Sequence, residues 1–222
     1  LHAKGLALAH VERYEDAVTT FDAALAIEPG RSDTLYQKGL ALVALGRDEA
    51  AVDSFTLCVT NDPQNTGSIY DLGLALSRLE RFEEALTRFD QCIALALVNS
   101  PVYYERGLAL FALKRFEDAI ASFDRALELD GTNAPASFDK AIALYELKRY
   151  EESLVASERA IEIKSDFADA WYYKGLALSD LARYADAVPA FQRVLELDST
   201  YAQAYYDLGL AFTRLAWDSE AV

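Results

Sequence analysis

The sequence predicts an all-α fold, a solenoid of antiparallel helix hairpins. Three observations carry this. The chain of 222 residues repeats itself every 34. Each period holds two helical patterns on either side of a short break. Between Ala168 and Tyr201, Trp171, Gly175 and Leu178 share one face of the first, and Ala187, Phe191 and Val194 share one face of the second. Neither stripe can be buried alone, so the two pack as a hairpin. Finally, the ends of periods are punctuated by helix stops: Pro29-Gly30, Asp62-Pro63 and Asp130-Gly131.

The register is strict. The slot of Gly175 holds Gly5, Gly39, Gly73, Gly107, Ala141 and Gly209 in the other copies. The slot of Phe191 holds Phe21, Phe55, Phe89, Phe123 and Ser157, and that of Ala187 holds Ala17, Ala51, Ala85, Ala119, Ser153 and Ala221. A period of 34 with Gly, Ala and Phe at these offsets resembles the tetratricopeptide repeat (TPR), and the resemblance covers the whole chain. It implies a right-handed superhelical solenoid, one array over residues 1–222, in which each repeat touches only its neighbours.

The repeats read in order as 1–31, 32–65, 66–99, 100–133, 134–167, 168–201 and a partial 202–222. The first has a helix to about Val11 and another from Tyr14 to Ile27. The second is capped by Ser32 or Asp33 and breaks at Gly46. The third ends on the apolar run Ala96-Leu97-Val98 before Asn99, a stickier joint than the others. The fourth is capped by Ser100, with Pro101 as first helical residue, and closes on Asp130-Gly131 as a left-handed stop. The fifth diverges most, with Ser137, Ala141, Ser153 and Ser157 in place of a large residue, Gly, Ala and Phe; it is the softest joint or a place of redistributed packing. In the sixth, Pro189 inside the second helix predicts a kink or a late start. The seventh supplies one helix and stops as the next begins, which gives thirteen full helices.

The slots have physical reasons. Glycine in mid-helix costs about 1 kcal/mol against Ala, so its recurrence implies close approach of the paired helices, with Phe filling space towards the next repeat. Arg13, Arg47, Arg81, Arg115, Arg149 and Arg183 share a slot at the break, where they cap carbonyls and pair with Asp or Glu; an anion-binding stripe is the sharper alternative. Cys58 and Cys92 stand where Ala24, Ala126 and Ala160 stand elsewhere, and read as small buried residues.

Composition narrows function. A net charge of −15, from 36 acidic against 21 basic side chains, opposes nucleic acid and anionic lipid as partners and favours basic ones. No apolar run approaches the ~18 residues of a membrane span, and no signal peptide is visible. A cytoplasmic setting is the default expectation. The chain opens at Leu1 inside one repeat and closes at Val222 inside another, so it reads as a piece of a longer protein. No phosphate loop, metal-spaced cluster or nucleophile elbow is present, and the only histidines are His2 and His10; no enzyme, cofactor or metal is expected.

In the TPR family the inner face is lined by the first helix of each repeat. Carried onto this sequence, that resemblance makes a groove of Tyr36, Tyr70, Tyr104, Phe138, Tyr172 and Tyr206, with Leu40, Leu74, Leu108, Ile142, Leu176 and Leu210 one turn on. Between them run Gln37, Asp71, Glu105, Asp139, Tyr173 and Asp207. Such a groove suits a protein or peptide segment with apolar anchors and basic residues. Equally, the rows seal neighbouring helices together. Tyr, Leu and acids replace the Lys, Asn and Arg by which one TPR subgroup clamps a peptide carboxylate, so no such clamp is expected. Lys38, Lys140 and Lys174 precede the Gly slot where the common pattern has Leu. The alternative functions are end-to-end stacking into homo-oligomers through Leu1, Leu25 and Ile27 at one end and Leu215 and Trp217 at the other, or a recruiting arm of a larger enzyme or sensor.

Overall fold

A computed structural model describes the backbone of residues 1–220 and the side chains of residues 1–216. The expected roles of Trp217, Ala221 and Val222 lie outside the described side chains. Thirteen α-helices and no strands are found among the described residues. The chain divides into two compact units, Leu1–Leu113 and Lys114–Val222.

The first unit holds α1 (His2–His10), α2 (Tyr14–Leu25), α3 (Ser32–Ala44), α4 (Asp48–Asn61), α5 (Thr66–Arg78), α6 (Phe82–Ala94) and α7 (Ser100–Ala112). Helices α1/α2, α3/α4 and α5/α6 form hairpins, and each second helix packs on the first helix of the next repeat. The second unit holds α8 (Phe116–Leu129), α9 (Ala134–Glu146), α10 (Tyr150–Ile163), α11 (Ala168–Asp180), α12 (Tyr184–Leu197) and α13 (Ala202–Glu220), with α9/α10 and α11/α12 as hairpins.

Phenylalanines form the core of each unit. Phe21, Phe55, Phe89, Phe123 and Phe191 are fully buried. A Cβ built on Gly5, Gly39, Gly73 or Gly175 would meet the ring sixteen residues on at 2.3, 2.4, 2.7 and 2.5 Å. The glycines therefore make room for the ring of their own repeat, not for a close approach of two backbones. A Cβ on Gly209 would face open space. In the fifth repeat Ala141 and Ser157 replace the pair together, and both are fully buried. This is the redistributed packing: the added methyl stands where a ring is missing. The Ser153 hydroxyl donates to the Ala141 carbonyl at 2.8 Å, whereas the Ser137 and Ser157 hydroxyls have no partner.

The break within each repeat is a left-handed residue: Glu12, Gly46, Glu80, Lys114, Lys148 and Ala182 have φ between 57° and 69°. The following Arg N–H donates five residues back, as from Arg81 to the Leu76 carbonyl at 2.9 Å. Here the structure corrects the reading of the arginines. Their backbone, not their guanidinium, satisfies the helix end. The guanidinium pairs with an acid in the first turn of the next helix, as in Arg81–Glu84 at 2.7 Å and Arg183–Asp186 at 2.7 Å, while Arg47 reaches Glu15 of the preceding repeat at 2.6 Å.

Other expectations are corrected too. Asn65, Asn99 and Asn133 are the N-caps, accepting from the backbone N–H of Ser68, Val102 and Ala136, each at 3.0 Å. Ser32 and Ser100 are instead the first helical residues, Asp33 follows inside α3, and Pro101 is second in its helix. Gly131 is not left-handed; the Asp130 carboxylate stops the chain by accepting from the N–H and hydroxyl of Thr132 at 3.0 and 2.6 Å. The left-handed residue at an inter-repeat joint is Ala96, with Leu97 half-buried behind it. Helix α12 starts at Tyr184 despite Pro189, because Pro189 and Ala185 both lie on the exposed face, where water can serve the carbonyl. Helix α13 runs straight through the expected break at Ala216 and Trp217. Trp217 replaces the arginine of that slot. The cysteines are fully buried as read; the Cys58 thiol donates to the Ser32 carbonyl at 3.3 Å.

Candidate functional site

The candidate rows lie on the first helix of each repeat, and these helices meet side by side: α1 with α3 and α5 with α7 in one unit, α9 with α11 and α11 with α13 in the other. In the first unit, the Tyr36 hydroxyl donates to Asp71 at 2.9 Å, and its ring lies 6.0 Å from Phe55. Burial and the Asp71 carboxylate push the Tyr36 hydroxyl up to about 12. Tyr70 stands likewise over Phe89 at 6.0 Å, pushed up to about 12 by burial and the nearby Glu105 and Asp71 carboxylates. Burial raises the Asp71 carboxyl above its usual range, against the pull of the Tyr36 hydroxyl and Arg78.

In the second unit, Tyr172 donates to Asp207 at 2.7 Å and packs 5.9 Å from Phe191. Tyr173 stands edge-on between Phe138, 5.5 Å away, and Tyr145, 5.7 Å away, and so locks α11 to α9. Tyr145 also donates to Asp180. The aromatic row thus ties repeat to repeat.

What stays open is the space between the leucines. Leu74, Glu105 and Leu108 line a cleft of about 450 Å³ between α5 and α7, with Ser77, Arg78 and Phe82. Leu176, Asp207 and Leu210 line its counterpart of about 200 Å³ between α11 and α13, with Ser179, Asp180 and Tyr184. Arg78 is anchored by Asp48 at 2.8 Å. Leu40, Tyr104, Phe138, Asp139 and Ile142 are half-buried on their helices and line neither cleft. Tyr206 is 69% exposed. Of the predicted residues, Leu74, Glu105 and Leu108 come together in one cleft and Leu176, Asp207 and Leu210 in the other, one in each unit.

Sequence reasoning missed the aromatic residue that opens the second helix, here Phe82 and Tyr184. Its signal was present: Tyr14, Phe82, Phe116, Tyr150 and Tyr184 recur at one slot. The lysines before the Gly slot are explained. Lys38, Lys140 and Lys174 reach Asp22, Asp124 and Glu158 at 2.6, 2.5 and 2.9 Å, on the second helix of the preceding repeat. They bridge repeats away from the rows and leave the leucines in place. No group of His, Cys, Asp and Glu suited to a metal occurs among the described residues, and no described helix is long and apolar enough to cross a membrane.

Tetratricopeptide repeat family models match residues 2–66 and 70–135, 110–177, and 168–201. The chain belongs to the tetratricopeptide repeat family. Among solved structures it is similar to YrrB, described as a TPR protein with an unusual peptide-binding site. The identity is 19%, over 84% of this chain and 96% of that one, with a TM-score of 0.74. It is also similar to MamA of Desulfovibrio magneticus RS-1, at 19% identity over 78% and 98% with a TM-score of 0.73. PilF of Pseudomonas aeruginosa matches at 17% over 92% and 93%, with a TM-score of 0.73. These likenesses establish the fold. No curated protein sequence matches the chain.

Proposed function

We propose that this TPR chain is a non-catalytic protein-interaction scaffold that holds a partner segment against the first helices of its repeats. The observation that carries this is the cleft between α5 and α7. It sets two leucines beside a carboxylate and lies one helical turn from Tyr70, which is packed against Phe89. Tyr36 and Tyr172 spend their hydroxyls on Asp71 and Asp207. The anchors offered to a partner are therefore the leucine pairs, with Glu105 and the overall charge of −15 favouring basic side chains next to apolar ones. YrrB, as a peptide-binding TPR protein, is a fitting analogue. The test is capture of a partner by the intact chain and by Tyr104→Ala/Leu108→Ala, with helicity checked by circular dichroism. The variant loses at least tenfold in affinity. Unchanged binding by a folded variant refutes the groove.

A second reading is end-to-end self-assembly, favoured by the open hollow that Leu1, Ala24 and Ile27 line. Light scattering over a concentration series decides it: a constant monomer mass removes the stacking model.

A further inference from the structure

The fifth repeat carries a second hollow, away from the row of Phe138 and Ile142. It lies among α8, α9 and α10, has a volume of about 370 Å³, and is walled by Leu127, Leu144, Val155 and Ala156. Ser137 forms its floor. That side chain is 1% exposed, and its hydroxyl has no hydrogen-bond partner. Two departures from the repeat make the hollow. The slot of Ser137 holds Leu35, Ile69, Tyr103, Trp171 and Tyr205 in other repeats, so a large side chain is missing here. The slot of Val155 holds Thr19, Asp53, Thr87, Ala121 and Pro189, so an apolar lip has been added; Val155 is 66% exposed.

We propose that this hollow is a binding site for a tyrosine side chain presented by a protein partner. Three features select that chemistry. The space lies beside a position that elsewhere carries an aromatic residue three times, so a single ring suits it. The walls are apolar, but a buried hydroxyl left without a partner is costly, and a phenol can both donate to and accept from it. The rim basic groups are already paired, Lys140 with Asp124 at 2.5 Å and Arg159 with Glu162 at 3.0 Å, and Glu151 on the rim repels anions. A neutral aromatic group is preferred over a phosphorylated or carboxylate-bearing one. The site shares no residue with the clefts between first helices, so it stands or falls independently of them.

The test is a titration of the isotope-labelled full chain with p-cresol, followed by NMR. Saturable shifts are expected around Ser137, Leu144, Val155 and Ala156 at millimolar p-cresol. N-acetyl-tyrosine amide should produce the same shifts. Ser137→Tyr fills the hollow and abolishes them, and tyrosine already stands in this slot at positions 103 and 205. Val155→Asp, which brings in the residue type that Asp53 supplies at the same slot, is a second blocking variant. Ser137→Ala weakens p-cresol about two- to tenfold, the range of one neutral hydrogen bond, and leaves toluene unchanged. No saturable shift with p-cresol, or shifts that survive both blocking variants, overturns the proposal. Binding of p-cresol but not of N-acetyl-tyrosine amide also overturns it, in favour of a small-molecule pocket.

Discussion

Restoring the missing glycine–phenylalanine pair of the fifth repeat stabilises the protein, but only if both residues are changed. In four repeats a Cβ on the glycine would come within 2.3–2.7 Å of the phenyl ring, far inside contact distance. Ala141 and Ser157 occupy those two slots in the fifth repeat. In Ala141→Gly/Ser157→Phe, burying a phenyl group contributes about 1.5–3 kcal/mol. Removing the unpaired Ser157 hydroxyl relieves about 1–3 kcal/mol, and glycine in mid-helix costs about 1 kcal/mol. The net gain is about 1.5–5 kcal/mol. Ser157→Phe alone forces the ring against the Ala141 methyl, and overpacking of this kind costs about 1–3 kcal/mol. Ala141→Gly alone loses both helix propensity and packing, by about 1–2 kcal/mol. The double-mutant cycle therefore shows a favourable coupling of at least about 3.5 kcal/mol. The assay is urea denaturation of the four proteins followed by circular dichroism, comparing midpoints at unchanged slope. Zero coupling, with Ser157→Phe as stable as the double variant, refutes the argument that glycine exists to admit the ring.

Further outcomes follow from the same geometry. Lys148→Gly relieves a left-handed φ of 59° and raises stability by about 0.5–1 kcal/mol, read as a higher urea midpoint. Pro189→Ala restores a backbone donor inside α12 and raises stability by about 1–3 kcal/mol in the same assay. Asn99→Ala removes the cap of α7 and costs about 1 kcal/mol, with faster amide exchange at Val102. Asp71→Asn tests the buried carboxyl. Its raised pKa means the folded state holds the proton more tightly than the unfolded one. The site therefore favours folding at pH below the unfolded value and loses that contribution as pH rises through the folded one. Wild type falls behind Asp71→Asn at pH 7 and regains ground as pH drops towards 4; a gap that widens on acidification contradicts this.

The repeat, its two helices and most of the buried slots were legible because a 34-residue period multiplies each weak signal. Phe191 alone says little; the same ring at Phe21, Phe55, Phe89 and Phe123 says a great deal. What escaped was pairwise or stereochemical. Gly175 and Phe191 lie sixteen residues apart, and periodicity alone cannot show that one makes space for the other. The left-handed slot holds Glu, Gly, Lys and Ala, so composition hides a conformation imposed by the Schellman bond behind it. Asn65, Asn99 and Asn133 were in view as repeat ends, but the neighbouring Ser100 competed for the role of cap and lost by one residue. At the candidate site, the sequence left a groove and a seal between first helices as alternatives for the tyrosine row. Only coordinates show Tyr36 spent on Asp71 and the opening left between Leu74 and Leu108.

The most direct test of the scaffold reading places a photoreactive benzophenone amino acid at position 74 or 108 in the cleft, and at position 87 on the outer face of α6. Irradiation with a captured partner is predicted to cross-link from 74 and 108 and not from 87. Cross-links from 87 alone would contradict the account.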